Sequence, residues 1–175
     1  ALYILAQIEA LSNSVERIKD GAYDNGNPYD ISVYETGEKW TYVWTRDVAY
    51  SIDLALAAFD PFRSLNSLLF KSSKYKRDVK RNNSQMIVQD TGSGGSYPVS
   101  SDRVVWALGA WETVKHLPET ERKLFLGRAY DILSCTIEQD REIIYDLETG
   151  LYRGEQSFLD WREQSYPLWT YNNVN

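Results

Sequence analysis

Trp40-Thr41-Tyr42-Val43-Trp44-Thr45-Arg46-Asp47 sets three large aromatics, a guanidinium and a carboxylate within eight residues. Directly after it, Val48, Ile52, Leu56 and Phe59 recur at helical spacing. That spacing predicts a helix that starts at Thr45 or Asp47 and buries the stripe. Asp60-Pro61 stops it, because a residue preceding proline is pushed out of the helical region. An aromatic loop feeding an amphipathic helix is therefore the unit from which the rest of the chain is read. A second such cluster is Phe158-Leu159-Asp160-Trp161-Arg162-Glu163-Gln164, and a polar, glycine-rich stretch from Gln89 to Tyr97 lies between the two.

Working outward, Ile4, Ile8, Leu11, Val15 and Ile18 predict an amphipathic helix over 1–19, with Asn13 and Ser14 as its weak point. Ile31-Ser32-Val33-Tyr34 and Met86-Ile87-Val88-Gln89 read as short strands, and 62–71 as a helical segment. Ser100-Ser101-Asp102 is a helix start, followed by Val104, Leu108, Trp111 and Val114 on one face. Pro118-Glu119 opens the next helix, with Phe125, Ala129, Ile132, Thr136 and Ile137 as its stripe, running to about Ile143. Asp146 to Gly150 is a turn, and a last helix is expected from Asp160 or Arg162 to Pro167. The fold class that results is all-α: helix hairpins around a central pocket, with a few short strands in the loops. The chain as a whole, 1–175, reads as part of a single domain and as a piece of something longer.

Composition narrows the function classes. An apolar share of 43% in 175 residues is enough for a real core. The net charge of −6 argues against a nucleic-acid backbone as partner. The one basic run, Lys71 to Arg81, reads as a solvated loop. No apolar run is long enough to span a membrane. Cys135 is the only cysteine, which excludes an internal disulfide, and its apolar helical surroundings point to a packed thiol. There is no His/Cys ligand pattern for a metal, and Thr91-Gly92-Ser93-Gly94-Gly95 lacks the lysine of a phosphate-binding loop, so no cofactor is expected.

Aromatic rings beside charged groups suit a saccharide: the ring covers the C–H face of the sugar and the charges hold its hydroxyls. Cleaving a glycosidic bond needs one carboxylic acid to protonate the leaving oxygen and a second carboxylate to activate water or attack. The loop clusters offer Asp47, Asp90, Asp102, Glu155, Asp160 and Glu163. Asp47 also reads as a first-turn helix residue, Asp102 as a cap and Asp90 as a turn former. Asp160 is the best placed acid, since Phe158 and Trp161 flank it and their rings would desolvate it. Arg162 next to it works in the opposite direction by favouring the charged form.

The segments 41–50, 89–103 and 150–167 resemble bacterial six-hairpin glycosidases, related to trehalases, processing α-glucosidases and glycogen-debranching enzymes. The resemblance touches most of the chain. It implies an (α/α)6 toroid of which this chain forms about half, an active site at one end, and an inverting mechanism. It implies Asp160 as the general acid, after the loop Glu155-Gln156-Ser157-Phe158-Leu159, with Glu163 as second choice because that spacing is one residue longer than in the family. It implies that Trp44, Arg46 and Asp47 grip the sugar in the cleaved subsite. Trp40, Asp90, Tyr97, Asp102, Arg103, Trp161 and Arg162 complete the expected substrate-binding set. The catalytic base is expected from a C-terminal half of the barrel, which is then a partner alongside the oligosaccharide or polysaccharide substrate. An extracytoplasmic location is implied on the same ground.

Three other readings stand beside this one. A glycan-binding protein on the same scaffold would bind sugar without turnover. An epimerase or lyase on a double helical ring is disfavoured because His116 is the sole histidine. A plain interaction scaffold would not need charged aromatics concentrated in loops.

Overall fold

The computed structural model describes residues 2–18, 29–72, 85–88 and 101–152, without the side chains of Tyr29, Ser101 and Asp102. The described part is mostly helical, with two small antiparallel ribbons.

Helix α1 spans Leu2–Ser12 rather than 1–19. The hydroxyl of Ser12 donates to Glu9 O (2.8 Å), that of Ser14 donates to Ala10 O (2.7 Å), and the Asn13 N–H donates to Glu9 O (3.1 Å). Short polar side chains that satisfy the last carbonyls end the helix in this way. Val15 and Ile18 then lie on strand β1 (Ser14–Ile18), which pairs antiparallel with β2 (Tyr29–Tyr34). Val15 faces Val33 and Arg17 faces Asp30, with a bulge between Val15 and Arg17. The strand expected at Ile31–Tyr34 is thus present.

Helix α2 (Thr45–Ser51) continues through a π turn (Ile52–Leu56) into the short α3 (Ala57–Phe59). The start at Thr45 agrees with the sequence reading, but the buried stripe does not. A π turn holds an extra residue, so after Val48, Ala49 and Ile52 the next buried position is Ala57. Leu56 is only half-buried and Phe59 is exposed. Asp60 then caps α4 (Pro61–Phe70) by accepting from Arg63 N at 2.9 Å, with Pro61 at the first turn. Arg63 locks α4 to the ribbon: Nη1 donates to Val15 O (2.6 Å) and Val33 O (3.3 Å), and Nη2 reaches Glu16 Oε1 at 2.6 Å.

Of the strand expected at 86–89, the described residues 86–88 form one bridge, Ser72 to Ile87, with Val88 N donating to Lys71 O (2.8 Å). Its residues are nonetheless central, since Met86, Ile87 and Val88 are all buried. Thr45 Oγ1 donates to Val88 O (2.5 Å) and Ile87 N donates to Thr136 Oγ1 (3.0 Å). Lys71, read as the edge of a solvated loop, is itself buried. Residues 73–81 of that run lie outside the described residues.

A 3-10 turn (Ser101–Val105) leads into α5 (Trp106–His116). Here the structure overturns the expected face. Val104, Leu108 and Trp111 are exposed, whereas Trp106, Gly109, Ala110, Thr113 and Val114 are buried. Gly109 explains the choice. A Cβ at that position would stand 3.1 Å from Ala49 O and 3.2 Å from Ala49 Cα, so a face of small residues lets α5 approach the backbone of α2. Helix α6 (Glu119–Ile143) buries Phe125, Ala129, Ile132 and Thr136 as expected, and Cys135 with them, while Ile137 is exposed. A hairpin of β3 (Tyr145–Asp146) and β4 (Leu151–Tyr152) closes on the turn expected there, with Gly150 at φ +70°. Among the described residues no helix is long and apolar enough to cross a membrane.

Candidate functional site

The loop before α2 is built by Thr36. Its hydroxyl donates to Tyr42 O (2.9 Å) and accepts from Trp44 N (3.3 Å), while Thr36 N donates to Tyr42 O (2.9 Å). Gly37 and Trp40 exchange backbone bonds across the tip of the loop (3.3 and 2.8 Å). The outcome is a stack of rings: Trp40 lies 5.3 Å from Trp44 at 37°, and Tyr42 lies 6.4 Å from Trp44 at 11°. Trp44 is 6% exposed and Trp40 46% exposed. Trp40 is therefore the ring available to a ligand, and Trp44 is the buried backing that fixes it.

Arg46 and Asp47 occupy the first turn of α2, where a carboxylate suits the positive end of the helix. Arg46 Nε stands 3.9 Å from Asp47 Oδ2, and both side chains are partly buried. The 3-10 turn that carries Asp102 and Arg103 packs against α2. Arg103, however, turns inward. Its side chain is 1% exposed, it ion-pairs with Asp140, and its Nη1 donates to Gln139 Oε1 (2.8 Å) and lies 3.5 Å from Ile87 O. The side chain of Asp102 is outside the described structure, as are Asp90, Tyr97, Glu155, Asp160, Trp161, Arg162 and Glu163. His116 is on the surface at the end of α5, beside Glu112 (3.3 Å).

Beside Asp47 the structure opens a cavity of about 310 Å³ between α1, the end of β2 and the π turn. It brings Asp47 together with two residues that the sequence reading passed over, Tyr34 and Glu35. Burial pushes the Glu35 carboxyl above the ordinary carboxylate range. Burial, aided by the Asp60 charge, raises the Tyr34 phenol to about 12. The sequence signal for both was weak: a tyrosine ending a short strand, followed by one glutamate. Among the described residues no group of three His, Cys, Asp or Glu side chains is arranged to hold a metal. No family model, curated protein or solved structure matches the chain.

Proposed function

We propose that the chain is the N-terminal part of an inverting glycoside hydrolase with an (α/α)6 toroid, cleaving an α-glucoside or a related saccharide. The observation that carries this reading is the Trp40–Trp44 stack held beside the Arg46–Asp47 pair at the opening of α2. A half-exposed indole on a rigid backing offers the flat apolar surface a sugar ring needs. A guanidinium and a carboxylate next to it supply donors and acceptors for hydroxyl groups. In this reading Asp160 protonates the departing glycosidic oxygen. A base from the C-terminal half takes a proton from the water that attacks the anomeric carbon from the opposite face. Glu163 is the second choice for the acid, and an extracytoplasmic setting goes with the same proposal.

The test is hydrolysis of α- and β-linked disaccharides and aryl glycosides by the full-length protein, wild type beside Asp160→Asn. A loss of about two to four powers of ten in the variant is the expected result for a general acid. Unchanged hydrolysis moves the acid elsewhere, with Glu163→Gln next. Sugar binding without turnover of any substrate replaces the hydrolase by a glycan-binding protein.

A further inference from the structure

The face of Trp40 is held by chemistry at the other end of its loop. Glu38, Lys39, Trp40 and Thr41 are all exposed, so the direction of the indole depends on bonds inside the loop and on its contact with Trp44. Those bonds converge on Thr36, which is itself anchored. Three successive backbone N–H groups at the end of β2 each donate to a different part of the chain. Tyr34 N donates to Ser67 Oγ of α4 (2.9 Å), Glu35 N to Asn13 O beyond α1 (2.8 Å) and Thr36 N to Tyr42 O (2.9 Å). From that base the Thr36 hydroxyl spans the loop, donating to Tyr42 O (2.9 Å) and accepting from Trp44 N (3.3 Å). One oxygen thus ties the incoming strand to both residues whose rings stack at 11°, Tyr42 and Trp44. Trp40 leans on Trp44, 5.3 Å away. A β-branched side chain has few rotamers, so Thr36 makes this clamp with little loss of freedom.

We infer that Thr36 is a positioning residue: its hydroxyl holds the Trp40 ring, by way of Trp44, in the orientation that receives a sugar. This role rests on the saccharide reading of the loop and adds to it a residue that acts through another. A ring fixed before the ligand arrives loses little conformational freedom on binding, so fixing it raises affinity without a new contact. Removing the hydroxyl takes away the acceptor that Thr36 offers to Trp44 N. Tyr42 O keeps the backbone N–H of Thr36, so the loop still closes but its base slackens.

The test is calorimetric titration of the full-length protein with thiomaltose, in which sulfur replaces the bridging oxygen of maltose and resists hydrolysis. Thr36→Val keeps the branched shape and removes the hydroxyl, and is expected to weaken binding about fivefold, the scale of one net hydrogen bond. Thr36→Ser keeps the hydroxyl and is expected to stay within about twofold of wild type. In a Trp40→Ala background, Thr36→Val is expected to cause no further loss, because nothing is left to position. The exciton couplet of the paired indoles in circular dichroism is expected to weaken in Thr36→Val and to persist in Thr36→Ser. Unchanged affinity in Thr36→Val, an equal loss with and without Trp40, or an intact couplet in Thr36→Val each overturns the inference and leaves the saccharide reading in place. Failure of the wild type to bind thiomaltose, with its couplet present, removes the saccharide reading and the positioning role with it. Should Trp40→Ala abolish binding outright, the couplet and the Thr36→Ser rescue decide. Should Thr36→Val unfold, Thr36→Ala removes the same hydroxyl without placing a methyl beside Trp44 N, and the same outcomes apply.

Discussion

Arg103 shows how differently one residue reads in sequence and in space. After a Ser-Ser-Asp helix start it has the look of a loop cation available to substrate, yet it is a strut between the 3-10 turn, residue 87 and α6. Its partner Asp140 comes from a helix position that the spacing marks only as polar, and no local pattern links two residues so far apart in sequence. Removing one member of a buried pair strands the other charge. Arg103→Met is therefore expected to cost about 3–5 kcal/mol in urea unfolding, whereas Arg103→Met with Asp140→Leu regains most of it. Tyr34 gives a second expectation at this scale. Its folded pKa is about 12 against an ordinary value near 10, so the folded state holds the phenolic proton more tightly. That stabilisation is present in full below pH 10 and is lost as pH rises from 10 through 12, on the order of 2 kcal/mol. Alkaline unfolding followed by circular dichroism should accordingly begin at higher pH in Tyr34→Phe than in wild type.

At the scale of elements, several helix starts and stops were legible, as was the face of α6, whereas the extent of α1 and the faces of α2 and α5 were not. Thr45 as a start, Asp60-Pro61 as a stop and Pro118-Glu119 as a start are set by local chemistry, and the structure has all three. The face of α2 was misread because a π turn leaves no mark in a list of apolar residues. The face of α5 was misread because hydrophobicity favoured Leu108 and Trp111, while the close approach to α2 demanded small side chains. Gly109→Ala makes this testable. In an open helix, alanine gains about 1 kcal/mol over glycine. Here the new methyl meets Ala49 O at 3.1 Å, Ala49 Cα at 3.2 Å and Leu68 Cδ2 at 3.3 Å, and two of the three are backbone atoms. A net loss of about 1–3 kcal/mol is expected, read as a lower urea midpoint at unchanged slope. A gain in stability would show that α2 and α5 can slide apart at little cost.

For the whole molecule, the mostly helical class was legible, because four apolar-periodic stretches carry it. The candidate site was legible only at Trp40 to Asp47, where aromatics and charges crowd one loop. Tyr34 and Glu35 join Asp47 through packing between α1, β2 and the π turn, which no sequence pattern specifies. The apolar face of α1 bears on the toroid proposal. Ile4, Leu5, Ile8 and Leu11 are 56–62% exposed, an apolar surface larger than scattered single residues produce. The proposed toroid would lay its remaining helices on such a surface, and one substitution measures whether it does. In this chain alone, Ile8→Glu replaces an exposed side chain and is expected to change stability by no more than about 0.5 kcal/mol. In the full-length protein the same glutamate would be driven against an apolar partner face, at a cost of about 2 kcal/mol or more. Urea unfolding of both forms supplies the comparison. A large cost only in the longer form supports burial of α1 within a ring, and near-neutrality in both removes α1 from any such interface.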